Sequence, residues 1–135
     1  MTAENQRANV AEELARSAEA LRAAEALVDL GLGRDAMSRL YYALYHATLA
    51  LLLVEGLEPT THHGLLGQFG MHFIKTGRLP GDLAATLRRI QAYRESADYT
   101  RGFVLTEDEC RRELDAGRAF VATARDWLRQ AGFSP

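Results

Sequence analysis

The chain is poor in the residues that would interrupt, staple or charge a fold in one direction. It has three prolines and one cysteine, and of its sixteen Lys and Arg residues all but Lys75 are arginine. A single cysteine, Cys110, excludes an internal disulfide, and the expected setting is a reducing compartment such as the cytoplasm. The longest apolar run, residues 47–54, falls far short of the roughly 18 residues that a membrane-spanning helix needs, so no membrane is expected as a partner. With a net charge of −2, the chain as a whole has no pull on nucleic acid or anionic lipid, and any such contact must come from a local patch. No phosphate-binding glycine loop, nucleophile elbow, zinc-protease motif or dinucleotide fingerprint occurs, and no cofactor is expected. His62, His63 and His72 lack the spacing and co-ligands of a closed zinc site, so no metal is expected either.

What is abundant is helix former. Hydrophobic residues make up 47% of the 135 residues, and Ala, Leu, Arg and Glu dominate. These types lose little rotamer freedom in a helix. The pattern predicts one all-α domain over residues 1–135, an up-and-down bundle of four to five helices. The first helix is expected over about residues 3–30, with Val10, Leu14, Leu21 and Val28 on one face and Gly31 and Gly33 closing it. The second, over about 35–55, carries Met37, Leu40, Tyr41, Leu44, Leu51 and Leu52 on one stripe. Leu49 and Leu53 lie on another side, the mark of a central helix. A third is expected from Thr61 to Lys75, with Gly64, Gly67 and Gly70 on one face for a close backbone approach. A fourth runs from an Asp82 N-cap to Tyr99, and a fifth opens on a Thr106/Glu109 capping box. Cys110 falls on the apolar stripe of that fifth helix and reads as a core residue.

Two clusters carry chemistry. On the fourth helix the stripe Leu83, Leu87, Ile90, Arg94, Ala97 places a permanent cation in a core-facing position, where it needs a partner. Asp98 is one turn on and Tyr99 adjoins it. The pair reads either as a structural bridge ordering the helix end or as a cleft arginine that meets a phosphate. On the second helix Arg39, Tyr42 and His46 are spaced so that one face presents a cation, a phenol and an imidazole. Histidine can move a proton and arginine can stabilise developing negative charge, so this face suits a phosphodiester; tyrosines at a helix centre equally suit the core. Arg88–Arg89 and Arg111–Arg112 read as solvated surface pairs.

Three separated blocks, SRLYYALYHATLALL (38–52), TTHHGLLGQFGMHFIKTG (60–77) and YRESADYTRG (93–102), are similar to the HEPN superfamily, especially its small stand-alone prokaryotic branch. The resemblance implies a helical bundle that pairs as a homodimer. It also implies a metal-independent endoribonuclease site at the dimer seam, built on an arginine followed four to six residues later by a histidine. It further implies a toxin-like role with a minimal nucleotidyltransferase as antitoxin partner, which in some pairs adenylylates a tyrosine near the signature. Arg94 matches the signature arginine, but residues 95–101 contain no histidine, and Asp98 and Tyr99 stand in its place. The candidate catalytic residues are therefore Arg94, His46 and Arg39. The candidate RNA- or nucleotide-binding residues are Arg94, Asp98, Tyr99, Tyr42 and His62. The alternative function is a non-catalytic module that dimerises and docks a nucleotidyltransferase, with Tyr99 as its modification target.

Overall fold

A computed structural model describes residues 2–133. Four long helices, α1 (Ala3–Asp29), α2 (Gly33–Val54), α4 (Asp82–Tyr99) and α5 (Glu107–Gln130), form the body of the all-α fold. A short α3 (His62–Phe69), which runs on into a π-helical turn at Gly70–Ile74, sits between α2 and α4 in sequence.

Contacts between helices set their directions. The Gln6 amide on the first turns of α1 donates to the Leu53 and Val54 carbonyls at the end of α2, and Ser17 donates to the Ala43 carbonyl midway, so the two helices are antiparallel. Arg34 at the start of α2 reaches the Ala97 carbonyl at the end of α4, and Arg89 of α4 pairs with Glu113 of α5. Successive long helices thus alternate in direction, as short connections favour.

The core is centred on α2, which packs against α1, α3, α4 and α5. Met37, Leu40, Tyr41, Leu44, Leu51 and Leu52 are all buried to 1% exposure or less, together with Phe69, Phe73 and Phe120 from the surrounding elements. Burying each such side chain contributes about 1.5–3 kcal/mol before the ordering cost. Two glycines let α2 and α5 meet. A Cβ on Gly117 would lie 2.4 Å from Leu40 Cδ1, and one on Gly33 would lie 2.5 Å from the Cys110 sulfur. Gly33 is accordingly the first residue of α2 and not a terminator of α1; Gly31, with φ at +76°, closes α1 by itself.

Three local expectations are corrected. The backbone is already helical at Gly81, so Asp82 lies inside α4 and makes no side-chain cap. Gly67 and Gly70 face open space, and Gly64 meets only Thr61 and Pro59 of the preceding loop, so the glycine face of α3 receives no neighbouring backbone. Arg89 is not a plain surface cation: its Nε donates to both oxygens of the buried Glu113 carboxylate, at 2.8 and 3.0 Å. The capping box stands as expected, with Thr106 and Glu109 bonding reciprocally, and Cys110 is buried. Among the described residues, no helix is long and apolar enough to cross a membrane.

Candidate functional site

The antiparallel packing of α2 and α4 brings the two chemical clusters together. Tyr41, Tyr42, Tyr45 and His46 lie on consecutive turns of α2 and present their rings toward α4, α3 and α1. Arg94 lies across Tyr41 and Tyr42, with its guanidinium carbon 5.5 and 5.4 Å from the two ring centres. Each such stacking is worth about 0.5–2 kcal/mol, more as water is excluded. The Arg94 side chain is 17% exposed. Its Nη2 donates to the Tyr42 hydroxyl at 3.4 Å, and its Nε stands 3.6 Å from Asp98 Oδ2, beyond hydrogen-bond reach. Nε is buried without a hydrogen-bond partner among the described residues. The Asp98 side chain is itself 34% exposed, so it is a loose neighbour of the cation and not a buried counter-ion.

His62, the first residue of α3, closes one side of this nest. Its ring packs 5.0 Å from Tyr45 and 5.4 Å from Tyr41, and the Tyr41 hydroxyl lies 2.6 Å from its Nδ1. Thr61 caps α3 by accepting from the Gly64 amide, which fixes where His62 enters the site. Burial first, and the Arg94 charge second, hold the His62 imidazole below its ordinary pKa, with Glu95 acting against them. The ring is therefore neutral at neutral pH. Burial pushes the Tyr41 phenol well above the usual tyrosine range, so it stays protonated. Burial also raises the Tyr45 phenol, helped by the Glu13 carboxylate.

On the other side of Tyr42 lies His46, with ring centres 6.4 Å apart. His46 Nδ1 is 2.7 Å from Glu13 Oε2 on α1, and both side chains are about one-fifth exposed. His46 and Tyr42 form one wall of an open groove of about 710 Å³ between α1 and α2, which Arg39 and Arg16 flank and Ala20 and Ala23 floor. Among the described residues, Arg39 makes no ion pair or hydrogen bond and is exposed. Tyr99, at the end of α4, is 77% exposed and borders a second hollow with Arg94, Glu95 and Ser96.

Every candidate thus falls in one region. Arg94, Tyr42 and His62 are in mutual proximity, His46 and Arg39 continue from Tyr42 along the groove, and Asp98 and Tyr99 lie on the outer side of Arg94. Sequence reasoning missed Glu13, an unremarked acid on an Ala/Glu-rich helix, and the involvement of Tyr41 through its hydroxyl. Neither carries a signal before α1 and α3 are packed against α2. Among the described residues, no group of three or more His, Cys, Asp or Glu side chains could hold a metal ion.

Comparison with known proteins agrees with this arrangement of helices. Residues 11–131 match the HEPN domain family, and the chain belongs to that family. Two relatives from Methanocaldococcus jannaschii, both provisionally named toxins, align over most of their length. One is 32% identical over 118 residues, 87% of this chain and 80% of its own; the other is 33% identical over 112 residues, 83% of each. A Thermotoga maritima protein, whose name assigns no activity, is 33% identical over 97 residues, covering 72% of this chain and 63% of its own.

Proposed function

We propose that this HEPN protein is a metal-independent endoribonuclease, acting as the toxin half of a toxin–antitoxin or defence pair. The observation that carries the proposal is the state of Arg94. Its guanidinium is held on two tyrosine rings with a buried, unpartnered Nε, and one of those rings, Tyr42, also lines the groove that holds His46 and Arg39. A cation short of hydrogen-bond acceptors is ready for a phosphate, whose oxygens match the planar fork of arginine.

In this reading Arg94 and Arg39 hold the phosphate of an RNA strand, Tyr42 and His62 line the cleft, and Asp98 restrains the outer edge of Arg94. His46 takes the place of the histidine absent from residues 95–101. It accepts the proton of a ribose 2′-hydroxyl, and the 2′-oxygen attacks phosphorus. The 5′-oxygen leaves with a proton returned by the imidazolium, and a 2′,3′-cyclic phosphate remains. The guanidinium stabilises the negative charge that builds on the phosphate oxygens. A second copy of the chain, as in a HEPN homodimer, would extend the strand-binding surface across the seam. The test is cleavage of total RNA in EDTA by wild type and by His46→Ala. The variant is expected to cut about a hundredfold more slowly; equal rates would remove His46 from the site.

The exposure of Tyr99 favours a second reading, in which the protein docks a nucleotidyltransferase. There the Tyr99 phenol oxygen attacks the α-phosphorus of ATP, loses its proton and releases pyrophosphate. Intact mass after incubation with a minimal nucleotidyltransferase and ATP would then rise by one adenylyl group, and Tyr99→Phe would abolish the gain. An unchanged wild-type mass refutes this reading.

A further inference from the structure

We infer that the two histidines of the site are locked in opposite tautomers, so that His46 serves as proton acceptor and His62 as hydrogen-bond donor to the phosphate, with Glu13 and Tyr41 as the positioning residues that set this division. The inference rests on the ribonuclease reading and adds residues and roles to it.

What each ring nitrogen faces decides which of the two carries the proton. Glu13 is a carboxylate and can only accept, so at 2.7 Å its oxygen fixes a proton on His46 Nδ1. A neutral His46 then has its lone pair on Nε2, the nitrogen directed away from Glu13, and can take a proton there. This is the minor form of a free histidine, and a carboxylate partner selects it, much as a second group orients the base in nucleophile–base pairs. The carboxylate also stabilises the imidazolium formed once the proton arrives.

His62 is held the other way. The Tyr41 side chain is buried, and His62 Nδ1 is its only hydrogen-bond partner among the described residues, so the phenol donates to it. The raised pKa of that phenol keeps the donor proton in place. A neutral His62 must then carry its own proton on Nε2, as an N–H with no lone pair. It can donate to a phosphate oxygen but cannot act as a base there. The two rings share Tyr45 as a neighbour, at 5.3 Å for His46 and 5.0 Å for His62, and share Tyr42 at 6.4 and 6.3 Å. Arg94 lies over the same Tyr42 ring, which stands between the two histidines.

The test uses the full chain labelled with nitrogen-15, with ring-nitrogen correlations read at neutral pH. His46 is expected to show a protonated Nδ1 and a pyridine-like Nε2, and His62 the reverse. Glu13→Ala should switch His46 to the Nε2-protonated form and lower RNA cleavage about a hundredfold. Glu13→Gln keeps an accepting oxygen, so it should retain the tautomer and lose at most about tenfold in rate. Tyr41→Phe should release His62 into a mixture of forms. A wild-type His46 protonated on Nε2 overturns the inference even if the protein cuts RNA. So does a Glu13→Ala variant whose tautomer and cleavage both match wild type. Because the tautomers are read without substrate, opposite forms in a protein that cuts no RNA uphold the assigned orientations and refute the ribonuclease reading alone.

Discussion

Arg94→Ala is expected to reduce RNA cleavage about a thousandfold, the scale of losing a charge-stabilising group at a developing oxyanion, with little loss of fold. A buried arginine paired to a buried acid would leave an unpaired charge behind when truncated, at a cost of about 3–5 kcal/mol. Arg94 has no such partner. Asp98 is 3.6 Å away and one-third exposed, so water solvates it once the guanidinium is gone. What the fold loses is stacking on Tyr41 and Tyr42, and what it gains is relief from a desolvated, incompletely bonded cation. The balance is expected within about 1 kcal/mol, a shift in Tm of about 4 °C at most for a domain of this size. Arg94→Lys should keep the charge and the fold but lose the planar fork, and recover only part of the rate. A large fall in Tm for Arg94→Ala would instead make this residue a structural bridge.

The opposite outcome is expected for the Arg89–Glu113 bridge. Arg89→Ala should destabilise the protein by about 3 kcal/mol, because it strands the carboxylate of Glu113, which is only 4% exposed, between α4 and α5. The half-exposed arginine end of the bridge lets some water in, which keeps the cost near the lower end of the range for a broken buried pair. The double replacement Arg89→Met, Glu113→Leu removes both charges and fills the space with apolar atoms, and should restore stability to near that of wild type. Urea unfolding of the three proteins reads the difference directly. An Arg89→Ala midpoint equal to wild type would mean that the bridge contributes nothing.

The two pairs also show what could be read from residues alone. Arg94 was visible because it interrupts the apolar stripe Leu83, Leu87, Ile90, Ala97 at a core-facing position, and a cation there demands an explanation. Arg39, Tyr42 and His46 were visible because helical spacing puts them on one face. Joining the two clusters needed the antiparallel packing of α2 on α4, which no local pattern specifies. Arg89 looked like solvated surface, since a long side chain can reach inward from a position that reads as outward. Glu13 was hidden for the same reason: an acid on an Ala/Glu-rich helix means nothing until α1 sets it against His46. The helices themselves were legible to within a few residues because their periodicity and their breakers agree. The exceptions are local. At Gly81 the chain is already helical, which denies Asp82 its cap, and of the evenly spaced glycines Gly64 meets only the preceding loop while Gly67 and Gly70 have no neighbour within 4 Å of a Cβ.

The Arg94 nest and the His46 groove are proposed to cut RNA together, without a metal. The measurement that bears on it most directly is the end group left on RNA by the purified protein in the presence of EDTA. Cleavage yielding 2′,3′-cyclic phosphate and 5′-hydroxyl ends, lost with Arg94→Ala, is the predicted result. Intact RNA after incubation with the folded wild-type protein, or cleavage that is unaffected by Arg94→Ala, would contradict it.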